Sequence, residues 1–199
     1  FFGVFFINEN TGWVVGDWGR LYFTSDAGLT WKNLNQDPLA SYKYNDVFML
    51  SENEGWAVGT TGRIIKYDGK TWSPVESTVD TELLAVHFLA PDFGFATGKN
   101  STILFFDGQS WTPQNSGLEN TSDHIYDIKI ISKSEAYAVV SPGFGGAGRI
   151  LKYNGNTWTT DYLYADMGTE LFYGLGLANS EIYAVGAGGL IKKKHRIQY

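Results

Sequence analysis

Three arginines recur in one local setting, each directly after a glycine and directly before an apolar segment: Arg20, Arg63 and Arg149. A guanidinium group can hold a carboxylate through two parallel hydrogen bonds, and it can stack on an aromatic ring. Two interpretations of the repeated position therefore stand: a patch that faces a ligand, or a set of structural pairs with carboxylates of neighbouring segments. Because catalytic residues are usually singular, the repetition favours binding or structure over catalysis.

Aromatic side chains are concentrated in the segments around these arginines. Rings near an exposed rim can stack on sugars, and guanidinium groups beside them can bind carboxylates. The aromatic residues concerned are Trp18, Tyr42, Tyr44, His124, Tyr126, Tyr162 and Tyr164. From both groups we select these candidate ligand-binding residues: Arg20, Arg63, Arg149, Trp18, Tyr44, Tyr126 and Tyr164.

No pattern of metal ligands or nucleophiles accompanies them. The histidines, His87, His124 and His195, are scattered over the chain and have no metal-ligand spacing. The chain has no cysteine, so it has neither a disulfide nor thiolate chemistry. The glycine-rich segment 143–148 does not join a strand to a helix and therefore does not indicate a phosphate-binding loop. We predict no catalytic residue, no metal and no cofactor.

The candidate residues lie in a repeat of roughly 40 residues. Each copy begins with a short apolar segment, followed by a polar turn and a second segment with an aromatic residue at one fixed place. A glycine turn, a third segment and a tight turn follow, and the Asp-Gly or Asn-Gly pair of that turn in three copies is typical of antiparallel hairpins. The five apolar segments are 4–7, 47–50, 86–89, 128–131 and 174–177, and the tryptophans that close four copies are Trp31, Trp72, Trp111 and Trp158.

Four antiparallel strands in one sheet cannot bury both faces alone, so the sheets must stack, and radial stacking produces a β-propeller. We predict an all-β protein with one β-propeller domain of five four-stranded blades, whose approximate limits are 1–40, 41–80, 81–120, 121–168 and 169–199. Two arrangements stay open: a five-bladed ring, or an arc of a larger ring whose upstream blades are missing. The last blade is expected to lack its fourth strand, and His87 is expected to pack beside the central channel.

Two segments resemble known motifs. Residues 24–31 resemble the Asp-box, Ser/Thr-x-Asp-x-Gly-x-Thr-Trp, and residues 12–19 resemble the Gly-Trp-x-Val-Gly-x-x-Gly segment of photosystem II assembly factor-like BNR-repeat propellers. The resemblance extends over nearly the whole chain and implies a propeller fold. It does not imply one function, because Asp-boxes also occur in sialidases, other glycosidases and secreted proteins. We expect Asp26, Asp68 and Asp107 to accept hydrogen bonds from turn amides rather than to contact calcium or a ligand.

The arginines do not support sialidase activity. A sialidase would need three convergent arginines, a Tyr nucleophile with a Glu partner and an Asp acid on different blades. In this chain the three arginines occupy equivalent places in three copies of the repeat. We therefore predict that the protein is not an enzyme, with a fragment of a sialidase-like glycosidase as the alternative.

In a four-stranded antiparallel blade, the turn between the second and third strands and the link to the next blade emerge on the same face. This link face carries the candidate residues, the long inter-blade links and an insertion at 141–148, and long loops often carry function. We predict a non-catalytic binding or scaffold propeller that engages a protein segment or a glycan through the link face. Alternatives are a lectin-like carbohydrate-binding module, or a structural subunit of an extracellular assembly that associates through the open edges of its terminal blades.

Charge and hydrophobicity limit the choice of partners. The net charge of −6 argues against a nucleic-acid partner, because affinity for nucleic acids depends on lysines and arginines that neutralise phosphates. The longest apolar run, near 1–7, is far shorter than the ~20 residues that a membrane-spanning helix needs. The resemblance implies a secreted, periplasmic or cell-surface location.

Overall fold

The computed structural model describes residues 1–35, 39–119, 122–143, 147–163, 171–178 and 181–195. Within these ranges the regular structure consists of β-strands and three short 3-10 turns, at Leu39–Ser41, Thr60–Gly62 and Ala187–Gly189. The strands form five separate antiparallel sheets, and neighbours in sequence are neighbours in each sheet. This order is the meander that tight hairpin turns produce.

The five sheets are the predicted blades. Blade 1 contains β1 (Gly3–Phe6), β2 (Gly12–Val15), β3 (Leu21–Thr24) and β4 (Lys32–Asn33), and blade 2 contains β5 (Tyr44–Ser51), β6 (Glu54–Gly59), β7 (Ile64–Tyr67) and β8 (Trp72–Val75). Blade 3 contains β9 (Leu83–Ala90), β10 (Phe93–Gly98), β11 (Ile103–Phe106) and β12 (Trp111–Gln114), and blade 4 contains β13 (His124–Ser132), β14 (Glu135–Ser141), β15 (Arg149–Tyr153) and β16 (Trp158–Leu163). Blade 5 contains β17 (Phe172–Ala178), β18 (Glu181–Gly186) and β19 (Ile191–His195).

Strand register confirms the repeat and corrects one alignment. The aromatic residue of each second strand pairs with an equivalent residue of the inner strand, as Trp13 does with Phe5 and Tyr183 with Gly176. In blade 5, Leu175 rather than Gly174 is therefore the counterpart of Val4, so the predicted alignment was wrong there by one residue. The error arose because small residues alternate with leucines along β17, and this pattern does not show that a bulge lies near the start of the strand.

Apolar side chains between successive sheets form the core. The inner strands pack in order, β1 on β5, β5 on β9, β9 on β13 and β13 on β17. Between blades 1 and 2, for example, Trp13, Val15 and Leu21 pack against Val47 and Trp72. Among the described strands no comparable packing joins β17 to β1. The all-β propeller prediction is confirmed, and the five described blades follow one another in an open arc.

Two aspartates join inner strands of neighbouring blades. The carboxylate of Asp46 accepts hydrogen bonds from its own strand at Val47 N and from the next blade at Val86 N, over 2.9 and 3.0 Å. Asp127 does the same with Ile128 N and Leu175 N, over 2.7 and 2.8 Å. These cross-links were not predicted from the sequence, because an acidic residue before an apolar segment is also typical of a loop.

His87 packs beside the channel as predicted. Its ring lies 4.6 Å from that of Phe48, and its Nδ1 atom accepts a hydrogen bond from Ile130 N of the next blade at 3.4 Å. Burial disfavours the charged imidazolium and, together with nearby Lys129, lowers the pKa of His87 to about 3. The ring is therefore a neutral acceptor.

The turns between third and fourth strands are held by the predicted aspartates. The Oδ1 atom of Asp68 accepts two turn amides, at 2.9 and 2.7 Å, and Asp107 does so over 2.9 Å for both. Asp26 accepts the amide and the hydroxyl of Thr30 and the hydroxyl of Thr24. The structural role expected of these three residues is confirmed, and their turns lie on the face opposite the link face.

Candidate binding face

Backbone hydrogen bonds fasten the turns and the links of the link face together. The amide of Gly19 donates to Tyr42 O at 2.7 Å, and the amide of Ser101 donates to Asp123 O at 2.7 Å. Lys99 N donates to Glu82 O at 2.9 Å. The turns between second and third strands thus lie directly beside the inter-blade links, which is the arrangement that antiparallel geometry predicts.

The repeated arginine position is a structural brace in the middle blades. The Arg63 guanidinium lies 3.8 Å from the ring centre of Tyr42, and Arg149 Nη1 forms an ion pair with Asp123 Oδ2. In blade 3 the equivalent Thr102 shares a hydrogen bond with Thr81 over 3.0 Å. The three partners share one place in the repeat: two residues before the first buried residue of the inner strand, as in Tyr42, Thr81 and Asp123.

The pairing of Arg63 and Arg149 with link residues is what the structural interpretation expects. The Asp123 side chain is fully buried, so its carboxylate needs a cation, and Arg149 provides one. The two side chains of each pair are chemically complementary. A guanidinium group contacts a ring or a carboxylate, and a hydroxyl group contacts another hydroxyl group. These two arginines hold the links in place, and ligand contact by them stays a prediction.

Arg20 and Trp18 differ from the other members of the set. Arg20 is exposed, and among the described residues it makes no ion pair or ring contact. Trp18 is 73% exposed and has a φ of 56°. The equivalent turn residues Thr61 and Asn100 have φ values of 54° and 55°, so this left-handed conformation belongs to the repeated turn. Both residues lie in the turn between β2 and β3, on the link face.

Tyr44 does not lie where the ligand-binding prediction requires. Its side chain is fully buried between blades 1 and 2, and burial raises the pKa of its hydroxyl group. It is the first buried residue of its inner strand, in the place that Leu83 and Ile125 occupy in the next two blades. The prediction of a surface position was wrong, because the sequence does not show on which side of the bulge a ring points.

Tyr126 occupies a more open place at the mouth of the channel. It is the bulged residue of β13, is partly exposed, and its ring centre lies 5.0 Å from that of Tyr173 in an edge-to-face contact. Burial, and then the neighbouring Tyr173, raise the pKa of Tyr126. Tyr173 is the bulged residue of β17 and is 47% exposed. Tyr164 lies outside the described residues.

A charged cluster that the sequence did not reveal lies beside these rings. Glu82 binds Lys43 Nζ at 2.6 Å, Lys99 Nζ at 2.7 Å and Asn45 Nδ2 at 3.0 Å. Burial alone would raise the pKa of Glu82, but the hydrogen bonds from the two lysines outweigh it and lower the pKa to about 2. Lys43 also lies 5.2 Å from the ring centre of Phe2.

Together these side chains form one row across the inner edge of the link face, with a contribution from every blade. We name it the inner crescent; its members are Phe2, Lys43, Glu82, Lys99, Tyr126 and Tyr173. The charges of Lys99 and Glu82 lie near enough to Tyr126 to act on its hydroxyl group. The sequence contains one indication of the inner crescent, which is the position of its members. All of them except Lys99 lie just before the apolar segment of an inner strand.

Metal sites and membrane-spanning helices are both absent from the described residues. No group of three or more histidine, aspartate or glutamate side chains there is arranged to hold a metal ion. In the same ranges, no helix has the length and apolar character to cross a bilayer.

No protein-family model matches the sequence, and no curated protein matches it. Solved structures do match it. One of YCF48 bound to D1 peptide superposes with a TM-score of 0.70 at 17% identity, over 98% of this chain and 63% of that one. The WD40 β-propeller domain of Doa1 gives 0.71 at 14% identity, over 97% and 64%, and an ancestral GH74 enzyme gives 0.71 at 15% identity, over 94% and 27%.

The likeness is one of fold. The chain spans less than two thirds of the length of each of these proteins, and identities this low say nothing about shared activity. Both the neighbours and the order of the sheets support one conclusion: this chain is a β-propeller of five consecutive blades.

Proposed function

We propose that this chain is a non-catalytic binding propeller that engages an extended protein segment through its link face. The observation that carries the proposal is the inner crescent, a row of aromatic and charged side chains to which all five blades contribute. A segment lying along this row would contact several blades at once. The solved YCF48 structure, which holds a D1 peptide, supports peptide recognition as a use of this fold.

The chemistry of the crescent suits a segment with both acidic and apolar side chains. Each lysine ammonium has three donors, and Glu82 takes one from Lys43 and one from Lys99. The remaining donors can bind backbone carbonyls or carboxylates of a partner. Phe2 and Tyr173, which are 56% and 47% exposed, offer apolar area with little conformational freedom to lose.

Glycan binding is the second candidate, and Trp18 favours it. A largely exposed indole ring is suited to stacking on a sugar ring. A secreted, periplasmic or cell-surface location belongs to both candidates and is part of the proposal. A structural role within a larger assembly is the remaining alternative.

Selection from a displayed library of random peptides tests the first candidate. Bound peptides are then titrated against the wild-type chain, the double variant Lys99→Ala/Tyr173→Ala and the control Gln109→Ala, which alters a turn on the opposite face. We expect the double variant to weaken binding roughly tenfold or more, because truncating central contact residues costs at least about 1.4 kcal/mol. The control should bind like the wild type.

Two results would contradict the proposal. One is the absence of any selected peptide, and the other is peptide binding that the double variant leaves intact while its melting temperature is unchanged. A glycan array that shows binding lost in Trp18→Ala, with no peptide selected, would instead support the second candidate.

A further inference from the structure

Every interface between neighbouring blades is built from the same two kinds of face. The leading face of a blade contains its central aromatic residue and two apolar neighbours, for example Trp56, Val58 and Ile64 in blade 2, all completely buried by blade 3. The trailing face of the following blade offers the inner-strand apolar residues and the closing tryptophan. The central aromatic residue and the inner-strand apolar residues recur at the interfaces from blade 1 to blade 5, with Thr97 in the place of Val58 in blade 3.

No blade within the described residues lies on the trailing face of blade 1. Val4 and Phe6 are 62% and 41% exposed, although their counterparts Val47 and Met49 in blade 2 are each 2% exposed. Trp31 is partly exposed, whereas Trp72, in the same place of blade 2, is 3% exposed. A groove of about 440 Å³ runs over this face, lined by Phe1, Val14, Tyr22 and Trp31.

Likewise, no described residue of a further blade covers the leading face of blade 5. Val185 and Ile191 are 43% and 68% exposed, although their counterparts in blade 2, Val58 and Ile64, are completely buried. The arc thus ends in two apolar faces of opposite kind, each identical in plan to one half of an interface that the molecule already forms repeatedly. Contiguous exposed apolar faces often mark interaction sites.

We propose that both faces bind additional blades of this same repeat, which complete the ring. We call each of these two faces a seat. The seat on blade 1 fits a blade that presents an aromatic residue flanked by two branched apolar residues. The seat on blade 5 fits a blade that presents a tryptophan on its fourth strand and a small residue on its second. Both requirements follow from the interfaces within the arc, and neither depends on the proposed function.

The shape of the arc favours added blades over a second copy of the chain. The superposed YCF48 and Doa1 propellers match nearly all of this chain, yet the match covers only 63% and 64% of them. In a ring as large as these two propellers, the part that this chain leaves open holds roughly two or three blades of ~40 residues. A second copy brings five blades and does not fit into that gap.

Thiol labelling tests the seat on blade 1, because the chain has no cysteine of its own. A copy of residues 44–82 is fused directly before Phe1, so that the added blade meets blade 1 as blade 2 meets blade 3. A single cysteine is introduced by Val4→Cys, with Leu29→Cys as the control, since Leu29 is 85% exposed at a hairpin tip. Labelling rates are compared with and without the added blade.

We expect the added blade to slow labelling at Val4→Cys by roughly tenfold or more and to leave Leu29→Cys unchanged. The protection should disappear when the added copy carries Trp56→Asp and Val58→Asp. Unchanged labelling at Val4→Cys, or a lower melting temperature of the extended chain, would overturn the proposal. Labelling of the 199-residue chain that slows as its concentration rises would overturn it too, because a second copy would then occupy the seat.

Discussion

The arginines show how one position can keep its place in a repeat while its partner changes. Arg63 stacks on Tyr42, Arg149 neutralises Asp123, and Thr102 bonds to Thr81, so the side chain is matched to a link residue rather than to a shared ligand. The position thus recurs in the sequence where a blade pairs a side chain of this turn with a side chain of the link. The residue that departs from this rule, Arg20, is the member of the set with the strongest case for contact with a partner.

Arg149→Ala is expected to lower the free energy of unfolding by about 3 kcal/mol, because it leaves the buried Asp123 carboxylate without its cation. Arg20→Ala, at an exposed site, should change it by less than about 0.5 kcal/mol. Urea unfolding measures both. The double variant Asp123→Thr/Arg149→Thr, which copies the pair of blade 3, should recover much of the loss; a loss as large as that of Arg149→Ala would show that the brace is not a matched pair.

Two buried groups at the channel give opposite pH dependences. Burial, and then the charge of Asp127, raise the pKa of Asp46 to about 7, so its contribution to stability is full below the unfolded pKa of about 3.8 and is lost as the pH rises through 7. His87 has a pKa of about 3 instead of 6.5, so the folded state loses stability as the pH falls from 6.5 towards 3. Between pH 4.5 and 6.5 the two effects offset each other.

Replacing either residue should therefore show how the other one alone makes the free energy of unfolding depend on pH. In Asp46→Asn the free energy of unfolding is expected to rise with pH between 4.5 and 6.5, because only the His87 effect remains. In His87→Phe, which introduces the residue of blades 1 and 2, it is expected to fall over the same range. Chemical unfolding at several pH values measures this, and equal slopes in the two variants would refute the assignment.

At the scale of the element, the hairpin turn of blade 1 is the most extensively bonded of its kind. Hydrogen bonds to Asp26, first from the Thr30 hydroxyl and amide and then from Thr24, lower the pKa of the carboxyl group to about 2. A depressed pKa means that the ionised form stabilises the fold above the unfolded pKa of about 3.8, and that this stabilisation is lost as the pH falls through 2.

The expected consequence concerns Asp26→Ala. Its melting temperature should lie below that of the wild type at pH 6, and the difference should shrink as the pH approaches 2. Thermal unfolding followed by circular dichroism measures the difference, with Leu29→Ala in the same turn as the control. A difference that is independent of pH would mean that the carboxylate charge does not contribute.

The elements were largely predictable, and the exceptions have physical causes. The hairpin turns and the closing tryptophans recur at fixed intervals, so the strands of blades 1 to 4 followed from local chemistry. The burial of Tyr44 did not follow, because a bulge at the start of the inner strand decides whether its ring or its neighbour's faces the channel. Glu82 binds Lys43 of the preceding blade and Lys99 from the far end of its own blade, and the spacing of these residues in the sequence does not predict that they meet.

On the scale of the whole molecule, the radial arrangement of the blades brings side chains that are far apart in the sequence onto one surface. Each blade contributes one or two side chains to the inner crescent, and no single blade contains a recognisable site. The same order leaves apolar faces at both ends of the arc, which distinguishes surfaces that complete the fold from the surface proposed for binding. The link face lies across the strand ends, away from both apolar faces.

Hydrogen exchange of the chain with and without a selected peptide tests the central claim most directly. We predict slower exchange in the backbone amides at 43–45, 82–84, 99–101, 126 and 173, which belong to the link face and the inner crescent. Amides of the hairpin turns on the opposite face, at 68–71 and 107–110, should exchange at unchanged rates. Protection concentrated in those turns, or on the exposed sheet face of blade 1, would contradict binding through the link face.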